Sequence, residues 1–177
     1  MIDEIVIEDP SLVVLIGAAG AGKTTFAARH FAVDEVLSSD RYRKLVSGHE
    51  ANQAATRAAF LRLHRDLEIR LAAGRLTVVD ATSVQSAARR SLLARAVAAG
   101  VPATAIVLDL PAETVLARNA ARPARTVDYA VVRRQLAGVR ASLDGAPPVL
   151  LGEGFRQVVV LRDPAEVDLV RIRRLRG

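Results

Sequence analysis

The chain has 177 residues, 51% of them hydrophobic but only 3% aromatic, with no cysteine and a formal net charge of +6. That length supports one domain with a core of Ala, Val, Leu and Ile, and the missing thiols exclude disulfides, thiolate metal sites and a cysteine nucleophile. No apolar run approaches the roughly eighteen residues that span a bilayer, and the acidic start MIDEIVIEDP lacks a signal peptide's basic region, so a soluble, cytoplasmic protein with no membrane partner is expected.

In chain order, residues 2–7 read as a short strand before a turn at Pro10 and Ser11. Residues 12–16, LVVLI, are a continuous apolar run and read as a buried strand. Glycines follow at 17, 20 and 22, then Lys23, Thr24 and Thr25, and a helical stretch to about residue 31. Residues 35–37 form a brief strand that leads into Ser38, Ser39 and Asp40. A polar segment, 41–50, precedes a long helix over 51–73, in which Ala59, Leu63, Leu67 and Leu71 share one face and Gly74 ends the run.

Residues 76–79 make the next strand, closing on Asp80. A helix over 85–99 stops at Gly100, ahead of Pro102. The strand 104–108 closes on Asp109, and Pro111 opens a helix to about residue 121. A basic segment around Pro123 leads to an amphipathic helix over 127–142. Gly145, Pro147 and Pro148 form a loop, 157–161 the last strand and 165–173 a final helix. The terminal RIRRLRG reads as the frayed end of that helix rather than as a nucleic-acid-binding tail. Strands alternating with helices imply parallel βαβ units in a three-layer α/β domain spanning 1–177.

The positive charge is uneven. Residues 1–88 carry ten Lys/Arg and eleven Asp/Glu, residues 89–140 nine Arg and three Asp/Glu, and residues 141–177 six Arg and five Asp/Glu. An arginine surplus in one middle stretch suits polyphosphate or nucleic acid. Arginines solvating helix faces explain it equally well, and charge alone leaves both readings open.

The stretch Gly17, Ala18, Ala19, Gly20, Ala21, Gly22, Lys23, Thr24, Thr25 matches G-x-x-x-x-G-K-[ST] between a strand and a helix. Small residues let successive backbone N–H groups turn onto phosphate oxygens, and the helix start adds the positive end of its dipole. Lys23 then reaches the β- and γ-phosphates of ATP or another nucleoside triphosphate, and the Thr24 hydroxyl takes a place on Mg²⁺.

In open α/β sheets ligands gather at the carboxyl ends of the strands, where three carboxylates fall: Asp40, Asp80 and Asp109. Asp80, after LTVV, suits the Mg²⁺ shell. Asp109 is accounted for by the helix start that follows it. Asp40, followed by Arg41, Tyr42 and Arg43, is left as the preferred base for a hydroxyl acceptor, with a plain turn residue as the alternative. Arg118 and Arg122, four apart, and Arg125 beyond Pro123 read either as an arginine lid over the triphosphate or as a solvated helix end. His30, His49 and His64 have no metal-binding spacing and read as structural or exposed.

LVVLIGAAGAGKTTFA, EVLSSDRYRKLVS, GRLTVVDATSV, ARNAARPAR and EGFRQVVVL together resemble the N-terminal kinase module of the bacterial polynucleotide kinase-phosphatase used in RNA repair. The resemblance runs over residues 11–170. It implies a P-loop kinase fold with a mainly parallel central sheet and an Arg-bearing helical lid over about 118–142. It further implies transfer of the γ-phosphate of a nucleoside triphosphate to the 5′-OH of an RNA or DNA end. Lys23 and Thr24 match the phosphate and Mg²⁺ residues, Asp40 the general base, Arg43 the arginine near the acceptor, and Arg118, Arg122 and Arg125 the lid arginines. Gln53, Thr82 and Val131 fall where that family lines the acceptor strand. The family commonly has DATN where this chain has Asp80-Ala81-Thr82-Ser83, and Pro123 interrupts the lid. Phosphatase and ligase modules often share the polypeptide in that family. A small-molecule P-loop kinase (for a sugar, nucleoside or antibiotic) and a non-catalytic NTP-binding module are the alternatives.

Overall fold

The structure is a computed structural model that describes residues 2–47, 56–122, 126–146 and 148–176. Five parallel strands make the central sheet: β2 (Leu12–Ile16), β3 (Val36–Ser38), β4 (Thr77–Asp80), β5 (Ala103–Leu108) and β6 (Gln157–Leu161), in the order β3-β4-β2-β5-β6. β1 (Glu4–Asp9) stands outside that sheet and pairs in parallel with β7 (Arg171–Arg176). The α/β class and parallel sheet are as expected.

The strand composition explains the layering. β2, β4 and β5 are buried along their whole length, as strands covered on both faces must be. Alternate β2 residues point to opposite sides. Val13 and Leu15 join Ile5, Ile7, Phe26, Ile106 and Val115 in one core. Leu12, Val14 and Ile16 join Leu63, Leu67, Leu71, Leu92 and Phe155 in the other. The helices α1 (Lys23–His30) and α5 (Ala112–Ala120) serve the first core. The second is covered by α3 (Thr56–Ala72) and α4 (Ser86–Ala98). α6 (Tyr129–Leu143) reaches both, burying Val132 and Leu136 on one side and Val139 on the other.

Register places the chemistry. Ser38 lies opposite Asp80, and Asp80 opposite Leu15. The three strands therefore release Asp40, the stretch after Asp80 and the glycine-rich loop at one edge of the sheet.

Several expectations are corrected. The polar segment after Asp40 is helical: α2 covers Ser39–Ser47, so Asp40 sits in a first helical turn, where a carboxylate faces the positive end of the dipole. The final helix is α8 (Pro164–Leu169), opened by an Asp163–Glu166 capping box. RIRRLR is no helix end. It is the strand β7, because its alternating pattern sets Ile172 inward against the core while Arg173 meets Glu4 at 2.8 Å and Arg174 meets Glu35 at 2.6 and 2.8 Å. A short helix α7 (Val149–Glu153) follows the 145–148 loop and was not anticipated. No described helix is long and apolar enough to cross a membrane.

Candidate functional site

The loop between β2 and α1 is shaped by backbone geometry that side chains would forbid. Gly20 has φ +92, and a Cβ there would stand 2.5 Å from the Val115 carbonyl oxygen. Only glycine fits both constraints. Gly22 caps α1 with φ +96. Within the loop the Ala21 N–H donates to the Ala18 carbonyl, and the Gly17 N–H to the Thr82 carbonyl at 3.1 Å, which ties the loop to the chain after β4. Lys23 is buried and donates through Nζ to the Gly17 and Ala18 carbonyls, both at 2.9 Å. The Thr24 hydroxyl donates to Asp80 Oδ2 at 2.8 Å.

A cavity of about 780 Å³ opens over this loop. Lys23, Thr24 and Asp80 line one side, and Asp40 and Arg43, one turn apart on α2, line another. Asp40 and Arg43 form an ion pair in which Arg43 is buried and Asp40 keeps access to the cavity. α2 is braced from behind by Tyr42, whose hydroxyl donates to Asp66 of α3 at 2.5 Å. Burial, and then the Asp66 carboxylate, push the Tyr42 hydroxyl well above its ordinary value, so it stays a neutral donor.

Thr82 and Val131 also line the cavity. Arg122 lines it too, and additionally lines a smaller cavity of about 290 Å³ shared with Arg118, Gly20, Gly22 and Arg29. Arg118 lies in α5, whereas Arg122 falls just past the helix's C-cap, Ala121. The two arginines share that smaller cavity, and of the two Arg122 also lines the larger one. Gln53, Arg125 and His49 lie outside the described residues.

Asp109 does not cap α5, whose N-cap position is Pro111. Burial raises its carboxyl, and Arg162, at 3.6 Å, and then Arg140 pull it back. Its surroundings are a strand end and an arginine, not a helix start.

Four residues escaped the sequence reading. Gln135 of α6 accepts from the Ala19 N–H at 2.8 Å, so a second element touches the glycine-rich loop. Asn119, 3% exposed, donates to the Val127 carbonyl and accepts from its N–H, clasping the end of α5 to the approach of α6. Arg89, 2% exposed, pairs through two nitrogens with Glu153 at 2.7 Å and donates to the carbonyls of Ser83 and Val84. Gln135 lies four residues from Val131, a spacing that could have flagged it. The pairing of Arg89 with Glu153 spans 64 residues and had no local signal.

The residues fit a magnesium nucleotide. The glycine-rich cradle excludes any Cβ at Gly20, and the buried Asp80 carboxylate already accepts from the hydroxyl that would face the ion. The strand order, the phosphate loop and the carboxylates at the strand ends define a P-loop kinase fold. The AAA domain family matches residues 12–146, and the chain belongs to that family. No curated protein sequence matches it.

Solved structures give the same fold. A sugar kinase from Janibacter sp. HTCC2649 is 20% identical, with 89% of this chain and 90% of that one covered and a TM-score of 0.57. A chain of the Pnkp1/Rnl/Hen1 RNA repair complex is 16% identical with a TM-score of 0.65. That match covers 76% of this chain and 45% of that one. Kti12 from Chaetomium thermophilum, in complex with ADP-AlF3, is 18% identical over 90% of this chain and 95% of that one, with a TM-score of 0.63.

Proposed function

We propose that this chain transfers the γ-phosphate of ATP or another nucleoside triphosphate to the 5′-hydroxyl of an RNA or DNA end. The observation that carries the reading is the Asp40–Arg43 pair facing Lys23 and the Thr24–Asp80 pair across one cavity. A non-catalytic nucleotide-binding module has no need of a carboxylate opposite its phosphate loop. The family motifs that surround Asp40, Thr82 and Arg122 support a polynucleotide acceptor.

In this reading Asp40 takes the proton of the acceptor hydroxyl as its oxygen attacks the γ-phosphorus in line. The bond to the β-phosphate oxygen breaks, and the nucleoside diphosphate leaves. Arg43 holds Asp40 in place and adds positive charge beside the acceptor. Lys23 and Arg122 face the phosphates, where fixed positive charge offsets what develops on the moving group. Thr24, oriented by Asp80, would hold Mg²⁺, which when bound neutralises phosphate charge. Arg118, at the outer cavity, is assigned to the donor's phosphates, with Arg125 as the third lid arginine. Gln53, Thr82 and Val131 are assigned to the acceptor strand, and residues 1–177 to one kinase domain that can work beside phosphatase and ligase modules.

A small-molecule kinase is the second reading, favoured by the near-complete mutual coverage with the sugar kinase. One experiment separates them. γ-Labelled ATP and Mg²⁺ are supplied with 5′-OH oligonucleotides, 5′-phosphate oligonucleotides and a panel of sugars and nucleosides. Label on the 5′-OH oligonucleotide alone is expected, and label only on sugars or nucleosides overturns the proposal.

A further inference from the structure

One peptide group of the phosphate loop is held at both ends. The Ala18 carbonyl accepts from Lys23 Nζ at 2.9 Å, and the N–H of the same peptide bond, on Ala19, donates to Gln135 Oε1 at 2.8 Å. Because that N–H can only donate, it fixes which end of the Gln135 carboxamide faces the loop, namely the oxygen. Nε2 makes no hydrogen bond among the described residues and is not enclosed. Gln135 lines the same cavity as Lys23, Thr24, Asp40 and Arg43.

The helix that carries this side chain is fixed along its length. Asp128 caps the start of α6 by accepting from the N–H groups of Ala130 and Val131, and Asn119 of α5 clasps Val127 just ahead of it. Val132, Leu136 and Val139 are buried on either side of Gln135 in the chain. A group on a helix held this way is placed more precisely than one on a loop. Lys23 shows where it stands. A lysine in this setting reaches the β- and γ-phosphates, and one peptide group separates the Lys23 ammonium from the Gln135 carboxamide.

We infer that Gln135 is a further catalytic residue, whose Nε2 donates to an oxygen of the γ-phosphoryl group while its Oε1 keeps the Ala19 N–H. This rests on the kinase reading but not on which acceptor is used. The two tasks together require this residue type. A carboxamide accepts with one atom and donates with its neighbour, whereas a carboxylate only accepts and a guanidinium or ammonium only donates. A brace for the loop alone needs the acceptor and nothing more. With both, α6 senses whether the bound nucleotide carries a third phosphate.

The test measures equilibrium binding of ADP and of the β,γ-imido analogue of ATP, each with Mg²⁺, to the wild-type chain and two variants. Gln135→Glu keeps an oxygen for the Ala19 N–H and removes the donor. Gln135→Met removes both and adds no charge. In each variant the affinity for the analogue relative to ADP should fall about tenfold or more, the worth of one hydrogen bond to a charged group. Retained ADP binding reports that the loop is still formed. A relative affinity that stays at the wild-type value in either variant overturns the inference, because both lack the donor, and leaves the kinase reading intact. A wild-type chain that binds neither nucleotide overturns the kinase reading, and this assignment with it.

Discussion

The phosphate-loop side of the cavity, proposed for the donor, and the side facing it, proposed for the acceptor, are made in different ways. The donor side is one continuous segment, residues 17–25, whose conformation follows from two glycines at positive φ and the start of α1. The side facing it is gathered from α2, α3, the turn after β4 and α6, with one ion pair local to α2, Asp40–Arg43, and one between distant residues, Arg89–Glu153. The first is local backbone chemistry. The second is tertiary, so it can change with the acceptor while the phosphate loop stays the same, and P-loop kinases of differing acceptor share one fold on that account.

The sharpest way to break this division is to remove one group from each side. Asp40→Asn should lower turnover by about 10²- to 10⁴-fold while triphosphate affinity, measured by equilibrium binding, stays near wild type. Lys23→Ala should weaken both. Turnover retained in Asp40→Asn would sink the base assignment and leave Asp40 as a helix-start residue.

Gly20→Ala tests the donor side's dependence on backbone. The added Cβ meets the Val115 carbonyl at 2.5 Å in a left-handed conformation. The expected cost is about 2–4 kcal/mol in denaturant unfolding, together with loss of nucleotide binding. A variant of wild-type stability would mean that α5 yields easily.

On the acceptor side, Arg89→Met leaves Glu153 buried without its partner, a cost of about 3–5 kcal/mol. The double variant Arg89→Met with Glu153→Leu should recover most of that stability yet keep a raised KM for the oligonucleotide, because the carbonyls of Ser83 and Val84 still lack their clamp. If KM also recovers, the pair is structural only.

The smallest effect is expected at Glu35, just before β3, which bonds Arg174 of β7. That hydrogen bond is the largest cause holding the Glu35 carboxyl below its ordinary value of 4.5, with the Ala32 N–H and the charges of Arg174 and Arg70 adding to it against a burial effect that opposes them. Its stabilisation is complete above pH 4.5 and is lost as pH falls through the lower, folded-state value. Glu35→Gln should therefore cost about 1 kcal/mol at pH 7, a difference that disappears in acid unfolding measurements below that window. A pH-independent difference would mean that packing, not charge, is what the variant lost.

Much of this was legible in the chain itself. The apolar run at 12–16, the glycine-rich loop, and the Ala59-Leu63-Leu67-Leu71 stripe all rest on short-range periodicity, and each stands where expected. Asp40 was picked out from neighbouring residues and Arg43 through the family resemblance, and the structure sets both on the cavity. Legibility failed where a segment's state depends on a remote partner. RIRRLR becomes a strand because β1, some 170 residues away, offers it an edge. Gln135 on the loop and Arg89 against Glu153 are equally remote matters.

By itself the sequence determined a phosphate loop on a parallel α/β sheet, because spacing, glycine geometry and hydrophobic period act within a few residues. Only the tertiary structure decided what else touches that loop and the turn beside it: Gln135 of α6 on the Ala19 N–H, and Arg89, held by Glu153, on the carbonyls of Ser83 and Val84. Those depend on contacts between elements far apart in the chain, and no local pattern encodes such contacts.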